Sequence, residues 1–466
     1  MSSTLAVSLR AVLVAALLAL AAPLAARADE RGAAQALERF RDQPARLQPF
    51  LYAMPKGADL HMHLSGAVYA EAMLRFGARA GACADTVTFV ASPAPCVPGQ
   101  RPLLDAFSDN VFQSQLVDAW SMKSWPEGVP GHDHFFATFG KFGATLDGRY
   151  GEALATVARR ARAQNVQYLE PLVTPRSSDT RALSQQVAFT HDFAALREQL
   201  LAKGLRDILP RARAELDELI AQERRADPNP VPAIRYSVQV SRATPPARVF
   251  TQLLLAFELM ADDPRWVSVN LVQPEDDVVA LRDYRLHMRM LRYLRGVYPK
   301  GHVTLHAGEL APGIAPPADL RFHVRDAVTV GQAERIGHGV DIRWERDPVG
   351  LAKLMARRDV LVEVPLISNK QILGVAGPRH PLRFYLRHGV PVALATDDEG
   401  VSRTDLTEQY LQAVLDHGLG YRALKRMATD ALRHAFADAA TKARLLRRQA
   451  ALFEQFEARY PSRRTE

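Results

Sequence analysis

Between residues 150 and 400, short runs rich in β-branched and aromatic residues recur, separated by longer stretches whose apolar positions repeat at helical spacing. The runs predict strands at Val166–Glu170, Ile234–Val238, Trp266–Leu271, His302–His306, Arg335–His338, Val360–Val364 and Val392–Thr396. The intervening stretches predict helices over Ser184–Lys203, Arg211–Arg224, Ala247–Ala261, Asp277–Tyr298, Phe322–Val330, Pro348–Arg357 and Pro381–His388, with Glu152–Gln164 before the first run. One further strand stands upstream, Ala58–Gly66, after a predicted helix over residues 30–53. Eight strands, each separated from the next by helix, predict a closed (β/α)8 TIM barrel. An open doubly wound sheet is the alternative, but no Gly-x-Gly-x-x-Gly turn follows any strand, so a dinucleotide site has no support. From Thr404 onward the pattern is helical and predicts extra C-terminal helices around the last strands.

Residues 70–150 break this rhythm. They carry Pro93, Pro95, Pro98 and Pro102, both cysteines, and an aromatic-rich part with Trp120, Trp125, Phe135, Phe136 and Phe139. A segment this long with no regular pattern reads as an insertion after strand one that covers a site or makes an interface. Gly131-His132-Asp133-His134 within it is a His-x-His with no third histidine nearby, read as polar residues of a lid. Phe135, Phe136 and Phe139 read either as core, which is favoured, or as a pocket wall.

At the N-terminus, Arg10 precedes an apolar run and Ala26-Arg27-Ala28 offers a small-residue cleavage site. Residues 1–28 therefore read as a secretory signal peptide, with an N-terminal membrane anchor as the alternative. The expected mature chain, 29–466, is one catalytic domain, periplasmic or extracellular, with no later apolar run of the ~20 residues that span a membrane. In an exported chain Cys83 and Cys96 read as a local disulfide, the alternative being two free thiols. The composition, 48% hydrophobic and 24% charged, is that of a globular protein. The net charge of +8 comes from scattered arginines, not the concentrated basic and aromatic surface a nucleic-acid partner requires.

In a parallel barrel the chemistry collects at the C-terminal ends of the strands. His61 and His63 share a face of strand one, because side chains two apart on a strand point the same way. His306 ends strand five, His338 ends strand six, and Asp397 and Asp398 follow strand eight, which closure brings beside strand one. Three imidazoles and a carboxylate, His61, His63, His306 and Asp397, suit Zn²⁺ with one position open for water. Strand four has no lysine to bridge a second ion, so one zinc per chain is expected. The Pro-Cys-x-x-Cys motif of the unrelated two-cysteine deaminases is absent.

Met54-Pro55-Lys56-Gly57-Ala58-Asp59-Leu60-His61-Met62-His63-Leu64-Ser65-Gly66-Ala67, His306-Ala307-Gly308-Glu309, Gly337-His338-Gly339 and Thr396-Asp397-Asp398 resemble the signature blocks of the adenosine deaminase family. Val362–Asn369 and Ala431–Phe436 add weaker matches. The resemblance implies hydrolytic deamination of adenosine or 2′-deoxyadenosine, with Glu309 protonating purine N1, His338 handling the proton of water and Asp397 serving both metal and catalysis. It also implies that Asp398 reads N7, with His63, Ser65, Gly308 and Gln273 as further substrate contacts. The signal peptide and Cys-bearing insertion resemble the secreted growth-factor-type branch, in which such an insertion supports a homodimer. Two positions depart from the family pattern: Ser65 stands where an acid holds the ribose 5′-hydroxyl, and Gln273 stands where a glycine reads N3. These departures leave adenine, a nucleotide or a modified adenosine as alternative substrates, and a secreted binding protein as the alternative of a different class.

Overall fold

The computed structural model describes residues 29–462, so the signal peptide expected over 1–28 lies outside the described residues. Eight parallel strands, β1 Gly57–His63, β2 Val166–Val173, β3 Tyr236–Ser241, β4 Trp266–Val272, β5 His302–Ala307, β6 Arg335–His338, β7 Leu361–Val364 and β8 Val392–Leu394, pair in chain order. Nearly every strand residue is buried, as expected for strands covered by helices outside and side chains inside. The barrel closes where the chain leaves β8: Met62 bridges Asp397, whose N–H donates to the His61 carbonyl at 2.9 Å. Closure thus runs through the residues expected to do chemistry.

The barrel interior is not purely apolar. Arg335 on β6 is buried between Glu170 of β2 and Glu363 of β7, each 2.6 Å away, and Thr304 of β5 donates to Glu363 at 3.0 Å. The Arg335 guanidinium lies 3.8 Å from the centre of the Phe436 ring. Glu363 reaches upward from this layer to His61, which couples the packing of the barrel to the site above it.

Two helical expectations differ from what forms. The helix over 30–53 is two, Glu30–Phe40 and Pro44–Ala53, because Pro44 lacks the N–H to continue a helix and instead opens the second. Of the helix expected over Ser184–Lys203 only Phe193–Ala202 forms, and a separate helix, Ser177–Ser184, ends where the expected one was to begin. Asp192 accepts from the Ala195 N–H at 3.0 Å and so caps Phe193–Ala202, ending any continuous helix there.

Residues 70–150 are more regular than the sequence pattern suggested. They form helices Ala70–Arg79, Asn110–Ala119 and Gly131–Phe142 and a small antiparallel sheet of Cys83–Asp85, Ala91–Ser92 and Gln100–Pro102. These pack around their own apolar cluster, which includes Leu103, Phe112, Trp120 and Phe135. Cys83 and Cys96 are joined in a disulfide with Cα atoms 5.4 Å apart. His132 and His134 lie on a helix, where residues two apart diverge: His132 meets Asp276 at 3.1 Å and His134 the Ser121 carbonyl at 3.0 Å. The C-terminal helices Leu406–Leu415, Tyr421–Arg433 and Ala439–Glu457 pack against the barrel and the N-terminal helices. None of the described helices is long and apolar enough to cross a membrane.

Candidate metal centre and active site

His61 and His63 project from one face of β1 into the mouth of the barrel, where His306 and Asp397 meet them. The Nε2 atoms of His61 and His63 each lie 3.1 Å from Nε2 of His306, and 3.5 and 3.3 Å from Oδ1 of Asp397. Each imidazole is held from behind. Nδ1–H of His61 donates to Glu363 at 2.8 Å, that of His63 to Gln239, and that of His306 to Asn270 at 2.9 Å. With Nδ1 protonated, three Nε2 lone pairs and a carboxylate oxygen converge within 4.8 Å of one another, which is repulsive unless a proton or a cation sits among them. Gly337 permits the arrangement: a Cβ there would come within 2.5 Å of the His61 ring.

The donor set fits a divalent cation that accepts nitrogen ligands. Burial opposes charge on His61, but Asp397 and Glu363 outweigh it and hold its proton affinity up at about 10. A cation drawn by the same carboxylates must displace that proton. Metal loading is therefore expected to release at least one proton per chain, and affinity to rise about tenfold per pH unit between pH 6 and 8. Calorimetry in buffers of different ionisation enthalpy measures the release.

Above the ligands opens a cavity of about 400 Å³, walled by Ser65, Phe135, Phe136, Phe139, Gln239 and Gln273 and floored by His63, His306 and Asp397 with Glu309 and Asp398. Phe135 therefore serves as core and wall at once. Burial, and then the charges of Asp397 and Glu275, push the Glu309 carboxyl well above its ordinary range, so it is a neutral acid. His338 is the reverse case: burial drops its pKa to about 4, leaving a neutral imidazole. Its Nδ1–H donates to Asn369 at 3.0 Å, so the unpartnered Nε2 faces Asp397 Oδ2 at 3.9 Å as a bare acceptor. Burial raises Asp398 to about 7, and its Oδ1 has no protein partner. Gly66 makes room for it, since a Cβ there would meet that oxygen at 1.8 Å.

Three site residues, Gln273, His338 and Asp397, have positive φ of 82°, 66° and 59° although none is glycine. Such conformations cost on the order of 1 kcal/mol each and cluster where a side chain must be aimed rather than merely packed. Gln273 and Asp397 line the cavity at the ends of β4 and β8, and His338 ends β6 behind Asp397.

Residues 235–451 match the sequence profile of the adenosine deaminase family. Over that stretch the chain is similar to the adenosine deaminase family. An adenosine deaminase of Klebsiella pneumoniae (strain 342) is 35% identical over 150 residues, 32% of this chain and 42% of the relative, so the match spans less than half of that relative's length. The fold is shared with an amidohydrolase from Burkhoderia ambifaria with bound Zn (TM-score 0.57, 18% identity, 88% of this chain and 93% of that one). It is also shared with the N6-methyl-AMP deaminase of Arabidopsis thaliana (TM-score 0.58, 19% identity, 87% and 98%).

Of the residues that resemblance to the deaminase family singled out, His61, His63, His306, Asp397, Glu309, His338 and Asp398 converge, with Ser65 and Gln273 on the cavity wall. Gly308 does not reach the cavity. Its N–H donates to Glu275 at 3.1 Å, and its φ of 76° turns it toward Asp341. The Gln273 carboxamide oxygen accepts from the Ala243 N–H at 3.0 Å, which spends that group on bracing a neighbouring loop. The supporting residues Gln239, Asn270, Glu275, Glu363 and Asn369 carried no motif signal as a set, because they come from three strands, a loop and a helix.

Glu275 matters most among them. Its carboxylate accepts from the N–H groups of Gly308 and Glu309 (3.1 and 2.8 Å) and pairs with buried His323, fixing the turn that aims Glu309. Its charge also raises the Glu309 pKa. In Glu275→Gln that push is gone, so Glu309 loses its proton at lower pH. If the protonated form is the active one, the alkaline limb of kcat/KM moves down by about one pH unit. A pH–rate profile of the two proteins checks this.

Proposed function

We propose that this chain is a zinc-dependent aminohydrolase that converts adenosine or 2′-deoxyadenosine to the inosine product and ammonia. The observation that carries it is the pairing of a neutral buried acid, Glu309, with a neutral buried base, His338, across one metal-competent cluster. When bound, zinc supplies Lewis-acid activation of water at neutral pH. The rest falls to side chains. Glu309 donates its proton to ring N1 and makes C6 electrophilic, a task only the protonated carboxyl can perform. His338 Nε2 accepts the proton of the attacking water and returns it to the departing amine. Purine N7 is an acceptor only, so Asp398 must meet it as the protonated acid, consistent with a pKa near 7. Phe135, Phe136 and Phe139 cover the base and exclude bulk water, which makes segment 70–150 the lid of the site. The Cys83–Cys96 disulfide supports export to an oxidising periplasmic or extracellular space.

The test is ammonia release from adenine, adenosine, 2′-deoxyadenosine, AMP and N6-methyl-AMP, with zinc counted per chain. Nucleosides turned over at one zinc per chain would sustain this function. A zinc-loaded protein that releases no ammonia from any 6-aminopurine nucleoside would overturn it.

A further inference from the structure

A second cavity, about 460 Å³, adjoins the first and shares Ser65 and Gln239 with it as walls. Its inner surface is largely apolar, formed by Leu64 and Leu172 from the barrel, Leu216 and Leu219 from helix Leu209–Ala226, and Trp266. Trp266 is 3% exposed, yet its indole N–H has no partner in the protein. The charged residues lining this cavity are all acidic: Asp147, Glu215 and Glu218. No lysine or arginine lines either cavity among the described residues, and the nearby Arg176 is already paired with Asp179 at 2.7 Å.

With C6 at the metal ligands, N1 at Glu309 and N7 at Asp398, purine N9 lies on the far side of the ring, and the sugar leaves toward the rim. Ser65 stands on that rim, two residues after His63, and a small neutral side chain there leaves the shared wall low and uncharged. A 5′-phosphate placed beyond it would bring a dianion toward three carboxylates, and the arginines near them are already engaged: Arg225 with Glu218 at 2.8 Å, and Arg176 between Asp179 and, at 4.0 Å, Glu215. An apolar group would instead bury carbon against the leucines and Trp266.

Resting on the nucleoside reading above, we propose that this second cavity receives the 5′ substituent of the substrate, and that the substituent is an uncharged, largely apolar group such as an alkyl thioether, not a phosphate. The experiment compares kcat/KM for adenosine, 5′-deoxy-5′-(methylthio)adenosine, 5′-deoxy-5′-(isobutylthio)adenosine and AMP in the zinc enzyme. The same panel is run on Ala212→Phe, which fills the cavity from the helix, and on Glu218→Trp at its exposed mouth, where folding tolerates change. Binding of the matching 5′-alkylthio inosines against inosine, by calorimetry on the wild type, gives a readout free of turnover and of any variant.

The thioethers are expected to exceed adenosine about tenfold, the worth of burying one or two further carbons. AMP is expected to fall at least about a hundredfold below them, as like-charge placement predicts. Either variant should erase the thioether advantage while leaving adenosine within about twofold. AMP as the best substrate, or thioethers no better than adenosine and indifferent to both variants, would overturn the assignment while leaving nucleoside deamination standing. Ammonia from no nucleoside in the panel would instead remove the underlying function, and the assignment with it.

Discussion

Glu309→Gln is expected to lower kcat of the proposed deamination about a thousandfold or more while leaving metal content, fold and KM within a few-fold of the parent. The carboxamide keeps the volume of the side chain and an N–H to offer purine N1, so binding survives. It has no proton to transfer, and transfer to N1 is the step that makes C6 electrophilic. Burial first, then the charges of Asp397 and Glu275, hold Glu309 protonated well above the ordinary range. In the proposed reaction the active form is thus the acid, and wild-type activity is expected to fall as pH rises through that raised pKa. The residual activity of the variant should lack this alkaline limb, because no group titrates there. Steady-state kinetics from pH 6 to 10, with metal analysis of both proteins, decides the matter; a variant retaining a tenth of wild-type kcat would remove Glu309 from the chemistry. A biological effect that survives in the inactive variant would favour a binding role for this protein.

Much of this site was readable from the chain because the fold uses local rules. Strands buried on both faces appear as short β-branched runs, and a His-x-His on one of them shares a face whatever surrounds it. What escaped was support that depends on closure of the barrel. Glu363 lies inside a quoted motif, but only the structure puts it 2.8 Å behind His61. Asn270 lies within the expected strand Trp266–Leu271 with no role assigned to it, whereas its side-chain oxygen accepts from both the backbone and the ring N–H of His306 and so orients that ligand. Gly308 looked like a substrate contact because its motif is local, yet its amide belongs to Glu275, 33 residues away in sequence. The helix expected over Ser184–Lys203 failed for a local reason: apolar periodicity ran across Thr190 and Asp192, whose capping bonds break it. Gln273 keeps a glycine-like φ of 82° without being glycine, so the backbone turn persists where the residue type changed.

Arg335→Met is expected to destabilise the protein by about 3–5 kcal/mol at pH 7, the cost of leaving buried carboxylates without their cation. Arg335, Glu170 and Glu363 are all essentially inaccessible, and the guanidinium forks to both acids. Methionine fills much of the volume, so the loss is electrostatic rather than a cavity. The pH dependence separates the two. Burial pushes the Glu363 carboxyl up, but Arg335 and then His61 outweigh it and hold its pKa below the ordinary value. An acid with a lowered folded pKa contributes stability above its unfolded value, ~4.3, and that contribution is lost as pH falls through the folded pKa. In the variant the same carboxyl is left buried without Arg335, so its pKa rises and proton uptake favours the folded state in acid. The stability gap between the proteins should therefore be widest near neutral pH and narrow as pH falls toward 4. Arg335→Lys restores charge but not the two-sided fork, and should fall between them. Urea denaturation at pH 7 and 4.5 measures the gap, and a loss that is equal at both values would assign it to packing around Phe436 instead. Because Glu363 also holds Nδ1 of His61, the methionine variant should bind metal more weakly even where it remains folded, through no change in any ligand.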